Sequence, residues 1–543
     1  MKKYIYFSLL FISVTSFSQQ EDAWVYFNDK PNATTFLNEP LTMLTQRSLD
    51  RRTAQGISLS ENDVPVHQPY IDQVTSATGI IVKAKSKWLN CLHIRGSLTD
   101  INALTSLSFV NHINFANDAL NTSGGKISKT KSIYSFNPIN KQLDVNVTFA
   151  YGNSANQIQM LNGHLLHEQN FTGAGKIIAV IDSGFINVNT TQPFERLFTN
   201  GLILGGYNYV NQSTDVYSLH NHGTLVLSCM GGFVDGQLVG TAPDAQYYLY
   251  VTEDVTSENP VEESFWVEAA EEADRVGVDV ITSSLGYFGY DNASYSHTYS
   301  DMTGNSNFAS QGANIAFSKG MVVVASAGNA GTTAEPHVGV PAEATNVLAI
   351  GAVQANENYA VFSSIGPSFD GRIKPDIMAQ GQSVSVANTS GNIQMGSGTS
   401  FSGPIMAGMI ASFWQAVPTF TNQQVVYFIK QSADMFSTPN AQFGYGIPDF
   451  QLALNNALLS VIQNNKNEFI VYPNPVNREF SIRFSNDFSE INLTLYNNLG
   501  QLILEKKAIN SDEKINLDTL NSGIYFYKIA SANATQSGKI IKN

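Results

Sequence analysis

Five stretches between residues 176 and 353 run almost without a polar break and stop at or near Gly, Ser, Asp or Asn: KIIAVIDSG, QYYLYVTED, VDVITSSLG, MVVVASAGN and NVLAIGAV. A strand covered on both faces needs apolar residues at consecutive positions, whereas a strand with one face in water alternates. Helical patterns separate these runs. SFWVEAAEEADRVG is closed by Gly277 and a second by Gly320, the residue type that tolerates the left-handed turn past a helix end. Strand, helix, strand in this rhythm predicts an α/β domain over residues 151–461, a parallel sheet with helices on both faces. Functional groups then belong at the carboxyl ends of the strands.

The flanks read differently. Residues 1–18 carry two lysines, an apolar stretch from Tyr4 to Val14, then Ser16 and Ser18, the pattern of a signal peptide. That stretch is too short to span a bilayer and no other run of about 18 apolar residues occurs, so no transmembrane segment is expected in the mature chain. Residues 19–118 alternate strand signals (AWVYF, GIIVKA, LNCLHI, FVNHINF) with helices near residues 40–54 and 98–107, predicting a small α+β domain with helices on one face of a four-stranded sheet. Residues 119–150 are rich in Ser, Asn and Lys without periodicity and read as an exposed linker. From 468 to 543 only short alternating strands remain (FIVY, FSIRF, NLTLY, QLILE, IYFYKI), with turns at Asn497-Asn498 and Asn521-Ser522-Gly523, predicting a small all-β sandwich.

With 44 acidic against 30 basic residues, a net charge of −14 and no basic cluster, nucleic acid is excluded as a partner class. The only cysteines, Cys91 and Cys229, read as buried free thiols. Cys229 sits in LVLSCM with no activating histidine beside it, which argues for packing over catalysis.

Polar residues interrupt the central domain at Asp182 in VIDSG, His222 in HNHGT and Ser400 in GSGTSFSGP. Ser400 opens an apolar helical run and could be a nucleophile or only the polar cap of that helix. A serine hydroxyl attacks a carbonyl only when an imidazole takes its proton, and the imidazole needs a carboxylate to hold its tautomer and charge. Asp, His, Ser is one known chain order for that set. An elbow-type hydrolase needs its histidine after the nucleophile, and no histidine follows Ser400. An aspartic protease needs two Asp-Ser/Thr-Gly copies, and the chain has one. Gly173-Ala174-Gly175-Lys176 precedes a strand instead of opening a helix, so it is a turn and not a phosphate loop.

Residues 151–461 resemble the subtilisin-like serine proteases, or subtilases, through motifs in order: Asp182-Ser183-Gly184, His222-Gly223-Thr224, Ala325-Ser326-Ala327-Gly328-Asn329, and Gly398-Thr399-Ser400 with Ser402 and Pro404. The resemblance implies a secreted serine endopeptidase acting on protein or peptide substrates, with Asp182, His222 and Ser400 as the triad. It implies an oxyanion hole of the Asn329 side chain and the Ser400 backbone N–H, and a substrate-binding strand at Ser284, Leu285 and Gly286. Pro404 is expected to leave the Ser400 carbonyl without its helical donor. His220 is the runner-up base, but it lacks the Gly-Thr that follows His222. No cofactor is required by this chemistry. Many relatives bind calcium, yet the corresponding loop, FVDGQL, lacks their Asn-rich sequence, so a structural calcium has no clear motif. Glu253, Asp254, Glu262 and Glu263 offer carboxylates to a cation, or form a solvated acidic loop.

Residues 19–118 resemble the inhibitory prodomain of such proteases, implying a zymogen cut within 119–150. The segment from VYPNP through LNSGIYFYKI to GKIIKN resembles the sorting domain read by the type IX secretion machinery of Gram-negative bacteria. That implies export through the periplasm to the cell surface or beyond. The rival reading is a catalytically inactive subtilisin-like fold serving as a surface binding protein or adhesin.

Overall fold

The computed structural model describes residues 19–121, 149–463, 469–484, 490–497, 500–531 and 535–543. The predicted signal segment, most of the linker and the second residue of the Asn497-Asn498 turn lie outside them. One compact unit holds the N-terminal and central domains as far as Ala457, and the C-terminal strands belong to a second.

The N-terminal domain carries β1 (Gln20–Phe27), α1 (Gln46–Ala54), β2 (Ile81–Ser86), β3 (Cys91–Ser97) and β4 (Val110–Phe115). Its four strands form an antiparallel sheet in the order β2-β3-β1-β4. A helix over Gln68–Thr75, opened by Pro69 in its first turn, was not predicted from the sequence.

The central domain contributes β5 (Ile177–Asp182), β6 (Ile203–Asn208), α2 (His222–Gly231), β7 (Gln246–Val251), α3 (Val261–Val276), β8 (Val280–Ser283), α4 (Phe308–Ser318), β9 (Val322–Ser326), β10 (Leu348–Val353), β11 (Ile377–Gln380) and α5 (Thr399–Ala416). Seven of these strands form one parallel sheet, ordered β11-β10-β9-β8-β5-β7-β6. The five continuous apolar runs are its interior, and β5, β9 and β10 are buried at every position. Ile177, Ala179 and Ile181 pack with Trp266 and Ala270 of α3 and Ala313 of α4. The apolar helix α5 packs along β5 and along β8 to β11. This is the parallel α/β architecture that the apolar runs predicted. Gly277 closes α3 at φ +87°, its N–H bonded to the carbonyls of Ala273 and Asp274, as its position in the sequence predicted.

The two domains share one interior. Trp24, Trp88 and Cys91 of the N-terminal sheet belong to the same apolar cluster as Phe265 and Phe308. Trp24 Nε1 donates to Ser264 Oγ at 2.9 Å. Arg52, almost fully buried, donates to Asp63 at 2.8 Å and to Asp274 of α3 at 2.6 Å, carboxylates that it shares with Lys319 and Arg51, so buried charges of both signs meet in this contact. The Glu271 carboxylate accepts from Ser86 Oγ and from the Lys87 and Trp88 N–H groups, capping the turn between β2 and β3.

The C-terminal unit has two antiparallel sheets: β12 (Ile470–Tyr472), β13 (Glu479–Arg483) and β16 (Lys514–Asn516), and β14 (Ile491–Tyr496), β15 (Leu502–Ile509), β17 (Gly523–Ala530) and β18 (Thr535–Lys542). Their orders are β12-β13-β16 and β15-β14-β17-β18. Alternate residues such as Phe480, Ile482, Leu493, Leu495 and Ile529 meet in one core between them. It is the small all-β unit that the period-two pattern predicted.

Candidate active site

Asp182 ends β5, Ser284 follows β8, and Asn329 stands just past β9, so all three lie at the carboxyl edge of the sheet. Asp182 is fully buried. Its Oδ1 accepts from the Ser183 N–H at 2.8 Å and faces His222 Nδ1 at 2.8 Å. His222 is the first residue of α2. An imidazole that gives its Nδ1 proton to a carboxylate keeps Nε2 as the free acceptor. The Asp182 charge raises the His222 pKa above the ordinary 6.5, with burial working against it.

Ser400 is the second residue of α5, and Gly398 is the N-cap. The cap alternative for Ser400 is therefore corrected. A cap uses its side-chain oxygen to accept from the first turn, whereas the Ser400 hydroxyl makes no hydrogen bond among the described residues. Helices α2 and α5 pack together, and the rings of His222 and Phe401 lie 6.5 Å apart. Pro404 has no N–H to give the Ser400 carbonyl, and Ser284 Oγ donates to that carbonyl instead at 3.0 Å. Ser284 thus supports the first turn of α5, a bond that the sequence did not suggest.

Asn329 is held by its oxygen. Oδ1 accepts from the Thr399 N–H at 2.9 Å and from Thr399 Oγ1 at 3.1 Å, which leaves the Nδ2 amide without a partner among the described residues. Thr399 Oγ1 also accepts from the Gly328 N–H at 3.2 Å. A Cβ on Gly398 would stand 3.6 Å from Asn329 Nδ2 and 3.7 Å from the Ser400 nitrogen. The two donors named from the sequence therefore border one space, and glycine keeps it open. The Asn329 Oδ1, at 3.8 Å from the same point, is tied to Thr399, so Nδ2 and the Ser400 nitrogen are the donors left at this space, the kind of group that suits a developing oxygen anion.

Beside that space lies a pocket of about 230 Å³ with Gly286, Tyr287, Phe288, Ala327, Gly328 and Val340 among its walls. Leu285 and Gly286 make no backbone hydrogen bond to the rest of the chain among the described residues, while Tyr287 N–H bonds to the Val340 carbonyl. The Ser284–Gly286 segment thus offers an unpaired edge leading to the pocket. Its distant walls, from Tyr287 to Val340, carried no signal in the sequence.

The acidic group differs from the sequence expectation. Glu253, Glu258 and Glu262 bring carboxylate oxygens within 4.8 Å of one another, and Glu258 takes the place expected of Asp254. Asp254 instead accepts from Thr256 within its own loop. Glu263 is bound by Tyr290, His297 and the Ala309 N–H. Glu262 and Glu263 lie on α3 and are each 1% exposed, whereas Glu253 and Asp254 of the preceding loop are half-buried and Glu258 is exposed. Burial pushes Glu253 and Glu262 up, favouring their neutral forms. Both cysteines are free and buried, as expected, and burial raises the Cys229 thiol far above a reactive range.

A model described as the Subtilase family matches residues 173–446. One described as the Peptidase S8 propeptide domain, Bacteroidota, matches residues 22–133, and a Secretion system C-terminal sorting domain matches residues 470–543. Subtilisin NAT of Bacillus subtilis subsp. natto is 29% identical over 299 residues, 54% of this chain and 70% of that protein. Subtilisin DY of Bacillus licheniformis is 28% identical over 270 residues, 49% of this chain and 87% of that protein. Among solved structures, the epidermin leader peptide processing serine protease of Staphylococcus aureus superposes with a TM-score of 0.52 at 16% identity, covering 81% of this chain and 99% of that one. At that identity the likeness is one of fold.

Proposed function

This chain belongs to the subtilase family of serine peptidases, and from that premise we propose that it is an endopeptidase made as a self-processing zymogen. His222 Nε2 takes the Ser400 proton as the oxygen attacks a peptide carbonyl, and Asp182 holds Nδ1–H and balances the imidazolium. The anion of the tetrahedral intermediate is received between Asn329 Nδ2 and the Ser400 N–H. His222 then returns its proton to the leaving amine, and water releases the acyl group. The peptide lies as an added strand along Ser284, Leu285 and Gly286, and the adjoining pocket takes a side chain. No cofactor enters this chemistry, and the Glu253 group is assigned no metal.

The observation that carries the reading is the shared space at Gly398, bordered by Asn329 Nδ2 and the Ser400 nitrogen. A fluorophosphonate probe on the purified processed protein tests it. Label on Ser400 supports an acyl-transfer nucleophile, and absence of label returns the inactive binding protein or adhesin. The domain division proposed is a prodomain over 19–118, a linker over 119–150 that holds the processing site, and a catalytic domain over 151–461. The apolar contact of the N-terminal sheet with α3 and α4 supports its role as inhibitor of the enzyme.

The pH dependence follows from His222. Only the neutral imidazole accepts a proton, and its pKa is raised by Asp182. We expect kcat/KM to fall as pH drops through that raised value, with the acid midpoint above the ordinary histidine 6.5. A midpoint below that value in the pH–rate profile would count against the assignment.

The C-terminal sorting domain marks the protein for export by the type IX route of Gram-negative Bacteroidota, to the cell surface or outside. No described helix is long and apolar enough to cross a membrane. Deleting residues 468–543 is expected to leave hydrolysis intact and to retain the enzyme in the periplasm. Fractionation followed by a casein assay reads both, and a truncated enzyme found in the medium would contradict the sorting role.

A further inference from the structure

His220, a second imidazole two residues before His222, has no part in the mechanism above. Its Nδ1 lies 3.1 Å from Ser183 Oγ. Ser183 Oγ in turn lies 3.2 Å from Asp182 Oδ1, the same oxygen that faces His222. A serine hydroxyl has one proton to give, and here two acceptors stand within reach of it. Whichever receives it, the other goes without.

The backbone is built to deliver His220 to this point. Leu219 stands at φ +70°, a region that a branched side chain seldom enters. Gly184 stands at φ +146°, and a Cβ there would fall 2.5 Å from the Ser218 carbonyl oxygen and 2.6 Å from the His220 nitrogen. The Phe185 N–H bonds to the Val216 carbonyl at 2.9 Å. The loop from Val216 to His220 is thus pressed onto the Asp182-Ser183-Gly184 turn, and strain at Leu219 is tolerated where it sets the imidazole against the serine.

We propose that His220 is a positioning residue for the Asp182–His222 pair: by accepting the Ser183 hydroxyl proton it keeps that proton off Asp182 Oδ1 and leaves the carboxylate's charge to His222. This rests on His222 being the general base. Asp182 Oδ1 already accepts from the Ser183 N–H, and Oδ2 is buried without a partner, so among the described residues His222 is the one cationic partner this carboxylate serves. Each further donor on Oδ1 draws the charge away from the imidazole and lowers its basicity. Neutral His220, with its proton on Nε2, accepts from Ser183. Glu253 also acts electrostatically on Asp182 and His222, and Asp215 on the same loop accepts from the Tyr217 N–H.

The test is a double-mutant cycle read as pH profiles of kcat/KM on the processed full-length protein, with active sites counted by fluorophosphonate. His220→Ala frees the Ser183 proton for Asp182, so the acid midpoint is expected to move down by roughly half a pH unit. In a Ser183→Ala background there is no proton to redirect, and His220→Ala is expected to move nothing further. His220→Asn, whose amide oxygen accepts the same proton, should return the midpoint toward the wild-type value and also serves if the alanine variant fails to fold. An unmoved midpoint in His220→Ala, or an equal shift with and without Ser183, overturns the proposal. The reading of the triad is tested apart from it: hydrolysis surviving in Ser400→Ala would remove that reading, whereas no outcome of the cycle does.

Discussion

Replacing Ser400 by alanine should give a protein that folds, hydrolyses no casein above background, and accumulates as a chain longer than the wild-type mature form. The fold should tolerate the change because the hydroxyl has no hydrogen bond to lose among the described residues, and alanine suits the first turn of a helix. A stability cost within about 0.5 kcal/mol is expected. The chemistry should not tolerate it. Without the oxygen there is nothing for His222 to deprotonate, and the remaining oxyanion donors act on an attack that no longer occurs. The rate should fall by about 10⁶-fold, the scale of loss known for the nucleophilic serine in subtilisin itself. Processing should fail too, because the cut within residues 119–150 is assigned to the same nucleophile. The mutant must be expressed alone in a host without related proteases, since active enzyme could trim it in trans. Normal processing together with casein hydrolysis would show that Ser400 does no chemistry.

Asn329→Ala should lower kcat by about 10²–10³-fold and leave KM near its wild-type value, again a magnitude known from subtilisin. The split follows from what Nδ2 adjoins. It borders the space at Gly398 with the Ser400 nitrogen, and an oxygen carries full charge there only in the tetrahedral intermediate. The substitution also removes the acceptor that holds the Thr399 N–H and Oγ1, so a stability loss of about 1–2 kcal/mol is expected alongside. Unfolding midpoints separate this loss from the kinetic one. A raised KM with kcat unchanged would mean that Asn329 binds substrate uniformly, contrary to the oxyanion assignment.

The strands of the sheet interior were legible because burial on both faces leaves a mark on consecutive residues. The edge strands were not. GLILGGYN, which contains β6, is broken by glycines and half exposed, and β11 has only four residues, Ile377–Gln380. At β6 an edge strand is covered less completely and demands no long apolar run, whereas β11 is buried throughout and is too short to stand out. The helix at Gln68–Thr75 was missed for a similar reason, for Val74 is its only buried residue and its apolar stripe is thin.

At the site, Asp182, His222, Asn329 and Ser400 could be named from the sequence because each reaction role demands one residue type beside small neighbours, and that demand is written locally. Their bonds to one another are not local. Ser284 reaches Ser400 across 116 positions, and Thr399 reaches Asn329 across 70. A parallel sheet gathers the ends of β5, β8 and β9 at one edge whatever the loop lengths between them, so the sequence by itself determined that Asp182, Ser284 and Asn329 lie on one side of it. It could not determine how each polar atom is shared. Ser183 has two acceptors for one proton, Asn329 could present either end of its amide, and Glu258 displaced Asp254 in the acidic group. Those choices turn on distances of a few tenths of an ångström, which the packing of helices and loops against the sheet decides and no local pattern of residues encodes.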